Sequence, residues 1–200
     1  MHGNLTKSLA ALACAASLFA LPAAAQDTKW MARIRAIDVE PNASSSLDGL
    51  NVEGQWTGEL DFTYFFTKNI AAELILATTK HEVTLNGASL GDVWVLPPTL
   101  LLQYHFTDLG AFKPYVGGGL NVTWFYDVNL NAGPAKLTVD STSVGGALQV
   151  GLDYAIAKNW VLNADVKYIW MSTDVYAGGG TLTDLKINPW VYGIGVGYRF

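Results

Sequence analysis

The chain has 200 residues, of which half are hydrophobic and only 14% are charged. Its length suits a single domain, and its net charge of -5 argues against a nucleic-acid partner, whose phosphates demand a basic face. Beyond the N-terminus there is no run of about 20 apolar residues, so a transmembrane helix is not expected. A hydrophobic chain without a spanning helix favours a membrane protein built of strands.

Residues 1–25 have the pattern of a cleaved secretory signal peptide. Lys7 supplies a positive n-region, residues 9–21 form a short apolar run, and Ala23-Ala24-Ala25 is a small-residue cleavage site. A buried N-terminal helix is disfavoured because the run is short and ends at Pro22. The mature chain is then predicted to cover residues 26–200. It contains no cysteine, since Cys14 lies in the signal, and this excludes disulfides and thiol catalysis.

The mature chain contains eight segments in which large apolar residues alternate with small or polar ones. Successive residues of a strand face opposite sides, and a transmembrane barrel turns its apolar side chains to lipid and its polar ones to the lumen. The predicted strands are 30–37, 56–66, 70–77, 99–106, 115–126, 144–156, 160–171 and 190–200. The longer connections, predicted as outer loops, are 38–54, 79–94, 127–142 and 172–187. The sequence therefore predicts an all-β, eight-stranded antiparallel up-and-down transmembrane β-barrel in the bacterial cell outer membrane.

Aromatic residues gather near both ends of these strands, on the face assigned to lipid. Trp56, Trp124, Trp170 and Trp190 mark the outer ends, and a second set, including the terminal Phe200, marks the periplasmic ends. A soluble, lipocalin-like barrel with an apolar interior fits the same periodicity with the two faces exchanged. The signal peptide, the two aromatic girdles and the terminal aromatic residue favour the membrane barrel.

Several segments resemble the OmpW family. They are Leu96-Pro97-Pro98-Thr99-Leu100, followed by residues 103–106 and 113–117, then 149–154, 160–165, 189–193 and 197–200. The resemblance covers nearly all of the mature chain. It implies an eight-stranded barrel that passes or binds small hydrophobic molecules, and some relatives are linked to alkane uptake. The identity of the ligand does not carry over, because the hydrophobic loop residues vary.

The outer half of the predicted lumen is apolar. An eight-stranded barrel is just wide enough for side chains to fill, so a wide aqueous pore is not expected. The residues predicted to line a ligand pocket are Ile37, Ile75, Val95, Pro97, Phe125, Ile169, Met171 and Val191. Simple filling of the barrel and an outward-open pocket both fit this pattern; the resemblance favours the pocket, because ligand sites are concave and mostly apolar.

The middle and periplasmic part of the lumen is charged. The residues predicted to form a charged plug are Arg33, Arg35, Glu59, Asp61, Glu73, Asp153, Asp165, Lys167 and Arg199. Buried charges need partners, so a structural plug is favoured over a proton or ion path. If the plug blocks the axis, an apolar ligand would leave sideways into the membrane. Pro97 and Pro98 predict the place, because proline weakens strand pairing.

No catalytic constellation is found, so the chain is not predicted to be an enzyme, and no metal or cofactor site is predicted. His81 is assigned to a loop and His105 to the lumen, and neither belongs to a Ser-His-Asp or metal-ligand spacing. The expected partners are outer-membrane lipid and lipopolysaccharide, a small hydrophobic ligand and the barrel-assembly machinery.

Two functions remain open. The first is binding or passage of small hydrophobic molecules from outside, with lateral exit into the membrane. The alternative is a structural or adhesion/receptor barrel that acts through its outer loops. Apolar alternation in those loops would favour the first function, because it would extend the barrel wall. Val83, Leu85 and Leu90 hint at such an extension, as do Leu137 and Val139.

Overall fold

A computed structural model describes residues 28–200, and the predicted signal peptide lies outside the described residues. The described part of the chain forms fifteen β-strands. They are β1 (Trp30–Glu40), β2 (Ser44–Ser45), β3 (Leu50–Val52), β4 (Gln55–Phe65), β5 (Ile70–Ala77), β6 (Thr79–Leu85), β7 (Ala88–Leu96), β8 (Thr99–His105), β9 (Phe112–Ala132), β10 (Ala135–Val139), β11 (Thr142–Ala155), β12 (Trp160–Ile169), β13 (Ser172–Ala177), β14 (Gly180–Lys186) and β15 (Trp190–Arg199). Within residues 28–200, no helix is both long and apolar enough to cross a bilayer.

Eight of these strands close into one antiparallel barrel. Their order around the barrel is β1, β4, β5, β8, β9, β11, β12 and β15, and β15 pairs with β1 again. Each barrel strand thus lies beside the next one along the chain. The backbone N–H of Trp30 donates to the carbonyl of Phe200 at 3.0 Å, so the first and last strands end on the same rim. The predicted eight-stranded up-and-down barrel is confirmed.

The two faces of the wall carry the side chains that the alternation predicts. Arg33 and Arg35 of β1 are buried in the lumen, whereas Ile34 between them is 45% exposed. Trp56 of β4 is 63% exposed, whereas Glu59 and Asp61 are buried. A lipocalin-like barrel would have the opposite arrangement, with the tryptophans inside and the charges in water. The exposed face is the one expected to meet lipid acyl chains.

Aromatic rings form contacts around both rims on the outside of the wall. At the rim of the chain termini, the ring centroids of Trp30 and Tyr64 lie 4.9 Å apart. At the opposite rim, Tyr168 lies 5.0 Å from Trp170 and 4.9 Å from Trp190. These are the two predicted girdles, which place the rings at the two water–lipid interfaces.

The segments predicted as outer loops contain strands that continue the wall above the barrel. We call β2, β3, β6, β7, β10, β13, β14 and the upper part of β9 the outer extension. In it, β6 pairs with β3 and β7, β7 pairs with upper β9, and β10 joins β9 to β13. Val83 and Leu137 point inward and are buried. The extension therefore lengthens the apolar lumen beyond the eight barrel strands.

Candidate functional site

A cavity lies in the outer half of the barrel and rises into the outer extension. It contains about 1010 Å³ of space not occupied by atoms, including the part that opens to solvent, and its free bore is narrow. All eight residues predicted for the pocket line it: Ile37, Ile75, Val95, Pro97, Phe125, Ile169, Met171 and Val191. They come from six different strands and from the β7–β8 and β12–β13 connections, which the closed barrel brings together.

The outer extension adds cavity residues beyond the eight predicted for the pocket. Val83, Leu90, Leu137 and Val139, which hint at such an extension in the sequence, line the cavity, and the apolar residues that the sequence prediction missed include Leu50, Val52, Val93, Leu130, Val175 and Leu185. Thr79 and His81 also line the cavity, on the inward face of β6. The assignment of His81 to a loop was wrong, because residues 79–85 pair with both β3 and β7. The period of two in Thr79, His81 and Val83 is the signal that could have placed them.

His81 is held on both sides of its imidazole ring. Its Nδ1 lies 2.8 Å from the carbonyl oxygen of Glu53, and its Nε2 lies 2.6 Å from the hydroxyl of Thr79. A carbonyl oxygen can only accept, so Nδ1 carries the proton and Nε2 of the neutral ring accepts from Thr79. Burial lowers the pKa of His81, and the hydrogen bond to Glu53 opposes this in part. His81 is thus a neutral, fixed group in the cavity wall.

Arg33 forms the first half of the charged plug below the cavity. Its guanidinium lies 3.0 Å from Asp61, 3.0 Å from Glu73 and 2.8 Å from Asp153, and all four side chains are buried. It also donates to the hydroxyl of Thr63 at 2.8 Å. The guanidinium fork thereby joins carboxylates from β4, β5 and β11 across the lumen.

Arg35 and Lys167 form the second half of the plug. Arg35 donates to Glu59 at 2.7 Å and to Glu73 at 2.8 Å. Lys167 donates to the same oxygen of Glu59 at 2.8 Å and to Asp165 at 2.7 Å. Glu59 and Lys167 also line the cavity, so this ion pair is its floor.

Amides fill the remaining space between these charges. Gln103 donates to Glu73 and to Gln149, Gln149 donates to Asp165, and Asn163 donates to Asp153. One small residue is required for this packing, because a side chain at Gly193 would collide with the carboxylate of Asp165. The plug is therefore a filled network.

Arg199 stands apart from the eight other residues predicted for the plug. It lies at the periplasmic end, where its guanidinium carbon is 4.0 Å from the ring centroid of Phe65 and its Nε donates to the carbonyl of Thr28 at 3.0 Å. It is the second-last residue of the chain, so its side chain enters the lumen only at the rim. The other eight predicted plug residues are brought together.

The barrel wall has a local interruption beside the cavity. The pairing of β5 with β8 stops at Ile75 and Thr99, and the pairing of β6 with β7 resumes at Thr79 and Val95. We call these two stretches, residues 76–78 and 96–98, which do not pair with each other, the seam. On the other side the ladder continues, since the N–H of Val122 donates to the carbonyl of Pro98 at 3.0 Å. Pro97 lies in this gap and has no N–H to donate across it.

The sequence matches the protein-family model described as OmpW family over residues 24–200. The chain belongs to the OmpW family. An uncharacterized outer-membrane protein of Sinorhizobium fredii, y4mB, is 48% identical over 183 residues, which cover 86% of this chain and 80% of that protein. Outer membrane protein W of Vibrio cholerae is 37% identical, with 98% of this chain and all of that protein covered.

The fold is shared with a solved outer-membrane protein. The crystal structure of OprG from Pseudomonas aeruginosa superposes with a TM-score of 0.78 and 31% sequence identity, over 86% of this chain and 96% of OprG. This OmpW-family protein is therefore an outer-membrane barrel. Within its residues 28–200, no group of three or more His, Cys, Asp or Glu side chains is arranged to hold a metal ion.

The state of His81 in this OmpW-family barrel can be measured directly. In an His105→Gln variant, His81 is the one histidine left in residues 28–200. Its imidazole resonances in an NMR pH titration are expected to shift with a midpoint below 6.5, because burial disfavours the charged ring. The neutral form is the stabilised one, so this contribution to folding is present at neutral pH and declines as the pH falls below 6.5. A midpoint at or above 6.5 would contradict the buried, neutral assignment.

Proposed function

We propose that this OmpW-family barrel takes up small apolar molecules from outside and releases them sideways into the outer membrane. The observation that carries the proposal is the cavity itself. Its wall is almost entirely aliphatic or aromatic, and it is built jointly by the barrel and the outer extension. Ligand sites in proteins are typically concave and mostly apolar, with a few polar groups. A narrow apolar bore suits an alkyl chain or a small ring better than a hydrated solute.

The charged plug supports a path that does not run through the barrel axis. An apolar molecule that continued downward would have to replace the hydrogen bonds among Arg33, Arg35 and their carboxylates. Leaving such buried charges without partners costs several kcal/mol for each ion. The axis is therefore closed to apolar molecules and to bulk water alike.

The seam supports a lateral path. Pro97 and Ala77, one on each side of the seam, both line the cavity. Separation of paired strands normally breaks a ladder of backbone hydrogen bonds, each worth roughly 0.5–1.5 kcal/mol. No such ladder joins residues 76–78 to residues 96–98, although the Thr78 hydroxyl donates to the carbonyl of Val95 at 3.3 Å. The seam can thus open without breaking a backbone ladder, and it faces lipid.

The proposal is tested by uptake into cells that carry or lack the protein. Labelled octane is the apolar probe, and a polar solute of similar size is the control. Cells are needed because lipopolysaccharide is the barrier to apolar compounds, which cross plain liposomes unaided. Faster entry of octane alone supports the proposal. Equal acceleration of both solutes would indicate a small aqueous pore, and no acceleration would favour the adhesion or receptor function of the outer loops.

A variant that fills the cavity gives a second test. Replacing Ala77 with tryptophan is expected to lower octane uptake at least about ten-fold, because the indole would occupy the bore beside the seam. The matched control is Ala72→Trp, five residues earlier on β5, where the side chain points to lipid near Tyr64 and Leu102. Uptake is measured at equal amounts of folded barrel. Equal rates for both variants would show that the cavity is not on the path.

A further inference from the structure

The floor of the cavity carries a carboxylate oxygen that the protein does not use. Glu59 is buried, with 4% of its surface exposed, and it lines the cavity. Arg35 and Lys167 both donate to its Oε1, at 2.7 and 2.8 Å. Within residues 28–200, both hydrogen bonds to this carboxylate go to Oε1, and none is made to Oε2. Lys167 in turn uses two of its three N–H groups, on Glu59 and Asp165. The floor therefore offers one free acceptor beside an ammonium with a spare donor.

A second free acceptor lies in the wall, next to the seam. The hydroxyl of Thr79 donates its hydrogen to Nε2 of His81, since Nδ1 of that ring carries the proton and donates to the carbonyl of Glu53. The oxygen of Thr79 then presents only its lone pairs. Thr79 is also the first residue above the unpaired stretch 76–78. A ligand that moves from the floor toward the seam passes this oxygen.

The other threonine near the seam is not available in this way. The hydroxyl of Thr99 donates to the carbonyl of Pro97 at 3.0 Å and accepts from the amide of Asn121 at 2.9 Å. The free polar atoms of the cavity are thus dominated by acceptors, with one spare donor at the floor. The plug contains five carboxyl groups and three cations, so acidic groups outnumber basic ones and an anionic head group is disfavoured there.

We propose that the cavity selects apolar molecules that carry one hydroxyl group, such as alcohols and phenols. This rests on the proposed function and names the class of ligand. A hydroxyl donates to Oε2 of Glu59 while accepting from Lys167 at the floor, and it donates to Thr79 beside the seam. A ketone can only accept, a hydrocarbon does neither, and a carboxylate is repelled by the plug. Of these classes, only hydroxyl-bearing molecules can donate to the free acceptors of Glu59 and Thr79 and also accept from Lys167.

The test compares initial uptake rates of labelled octane, 2-octanone and 1-octanol, after subtraction of the rates in cells without the protein. The native barrel is expected to accelerate 1-octanol about three- to ten-fold more than 2-octanone, the range that one or two net hydrogen bonds provide. In Thr79→Val, the ratio of octanol to octane should fall at least about three-fold. The matched control is Thr84→Val, on the opposite, outward face of the same strand, where the ratio should equal that of the native barrel.

A second variant reverses the chemistry at the floor. Glu59→Gln replaces the free acceptor with an amide whose NH₂ donates, so the rate of 2-octanone should rise relative to that of 1-octanol. If the native barrel, Thr79→Val and Thr84→Val share one octanol-to-octane ratio, the hydroxyl subsite is overturned while the proposed uptake stands. If no octyl probe enters faster with the protein than without it, the proposed uptake and the subsite fail together.

Discussion

Replacing Arg33 with methionine is expected to lower the free energy of unfolding of the barrel by about 3–5 kcal/mol, the loss typical when one member of a buried ion-pair network is removed. Asp61, Glu73 and Asp153 each lie within ion-pair distance of the Arg33 guanidinium and are buried with it. The substitution removes the guanidinium that pairs with Asp153 and leaves Asp61 and Glu73 to share Arg35. The barrel is unfolded with urea in phospholipid vesicles. The folded fraction at each urea concentration is read from the electrophoretic mobility of unheated samples.

Two further variants separate this loss from a general effect of removing a cation. Lys68 pairs with Asp108 at 3.5 Å on a periplasmic turn, with 72% of its side chain exposed. Lys68→Met should change the free energy of unfolding by no more than about 1 kcal/mol. Adding Asp153→Asn to Arg33→Met should recover part of the loss, because it removes one uncompensated charge. Equal, small losses for Arg33→Met and Lys68→Met would contradict a plug that holds the barrel together.

The plug could be predicted from the sequence because the alternation within each strand assigns its residues to the lumen. The period of two assigns Arg33, Asp61 and Asp165 to the lumen without any knowledge of which strands pair. Antiparallel neighbours in a closed meander then bring those residues to similar heights, and the register places Arg33 opposite Asp61. Charges buried in a narrow lumen are costly without partners, so ion pairs among these residues are expected. The terminal position of Arg199 sets it apart, because a residue at the rim is free of that constraint.

The outer extension was harder to predict because its partners are distant in the chain. Strand β9 continues to Ala132, six residues beyond the predicted end at Tyr126, since its upper part pairs with β7 on one side and β10 on the other. Asp127 adopts a positive φ of 48° within this strand, which interrupts the alternation that marks a strand. Pairing with other loops overrides that local irregularity. Leu137 and Val139 hint at an extended wall, but nothing within residues 127–142 identifies the strands with which it pairs.

The inward position of His81 in the cavity wall was also harder to predict than the plug. Its neighbours Lys80 and Glu82 are charged, so residues 79–82 look like a polar loop. In the structure those two side chains point outward, where Lys80 lies 3.0 Å from Asp92 of β7, while Thr79 and His81 point inward. Two of the polar side chains of the cavity thus come from a segment whose composition suggests that both of its faces are exposed to water. The proline pair, by contrast, could be located from the sequence because the lack of an N–H is a property of the residue itself.

Locking the seam is expected to reduce octane uptake to the level of cells without the protein. The register places Thr78 opposite Leu96, since Ile75 opposes Thr99 and Thr79 opposes Val95. Both side chains lie on the outer face, so a disulfide between Thr78→Cys and Leu96→Cys would close the seam, leave the bore free and keep both prolines. A reductant that cleaves it should restore uptake in the same protein.

The control for this experiment lies lower in the same wall. Leu74 and Leu100 face each other on the lipid side of the intact β5–β8 ladder, where a disulfide adds nothing to a wall that is already paired. Oxidation of Leu74→Cys with Leu100→Cys should therefore leave uptake unchanged. If the barrel with the locked seam takes up octane as fast when oxidised as when reduced, the molecule does not leave through the seam. In that case we expect the molecule to pass along the axis through the plug. Substitutions of Arg33 and Arg35 that keep the barrel folded should then change the rate of octane uptake.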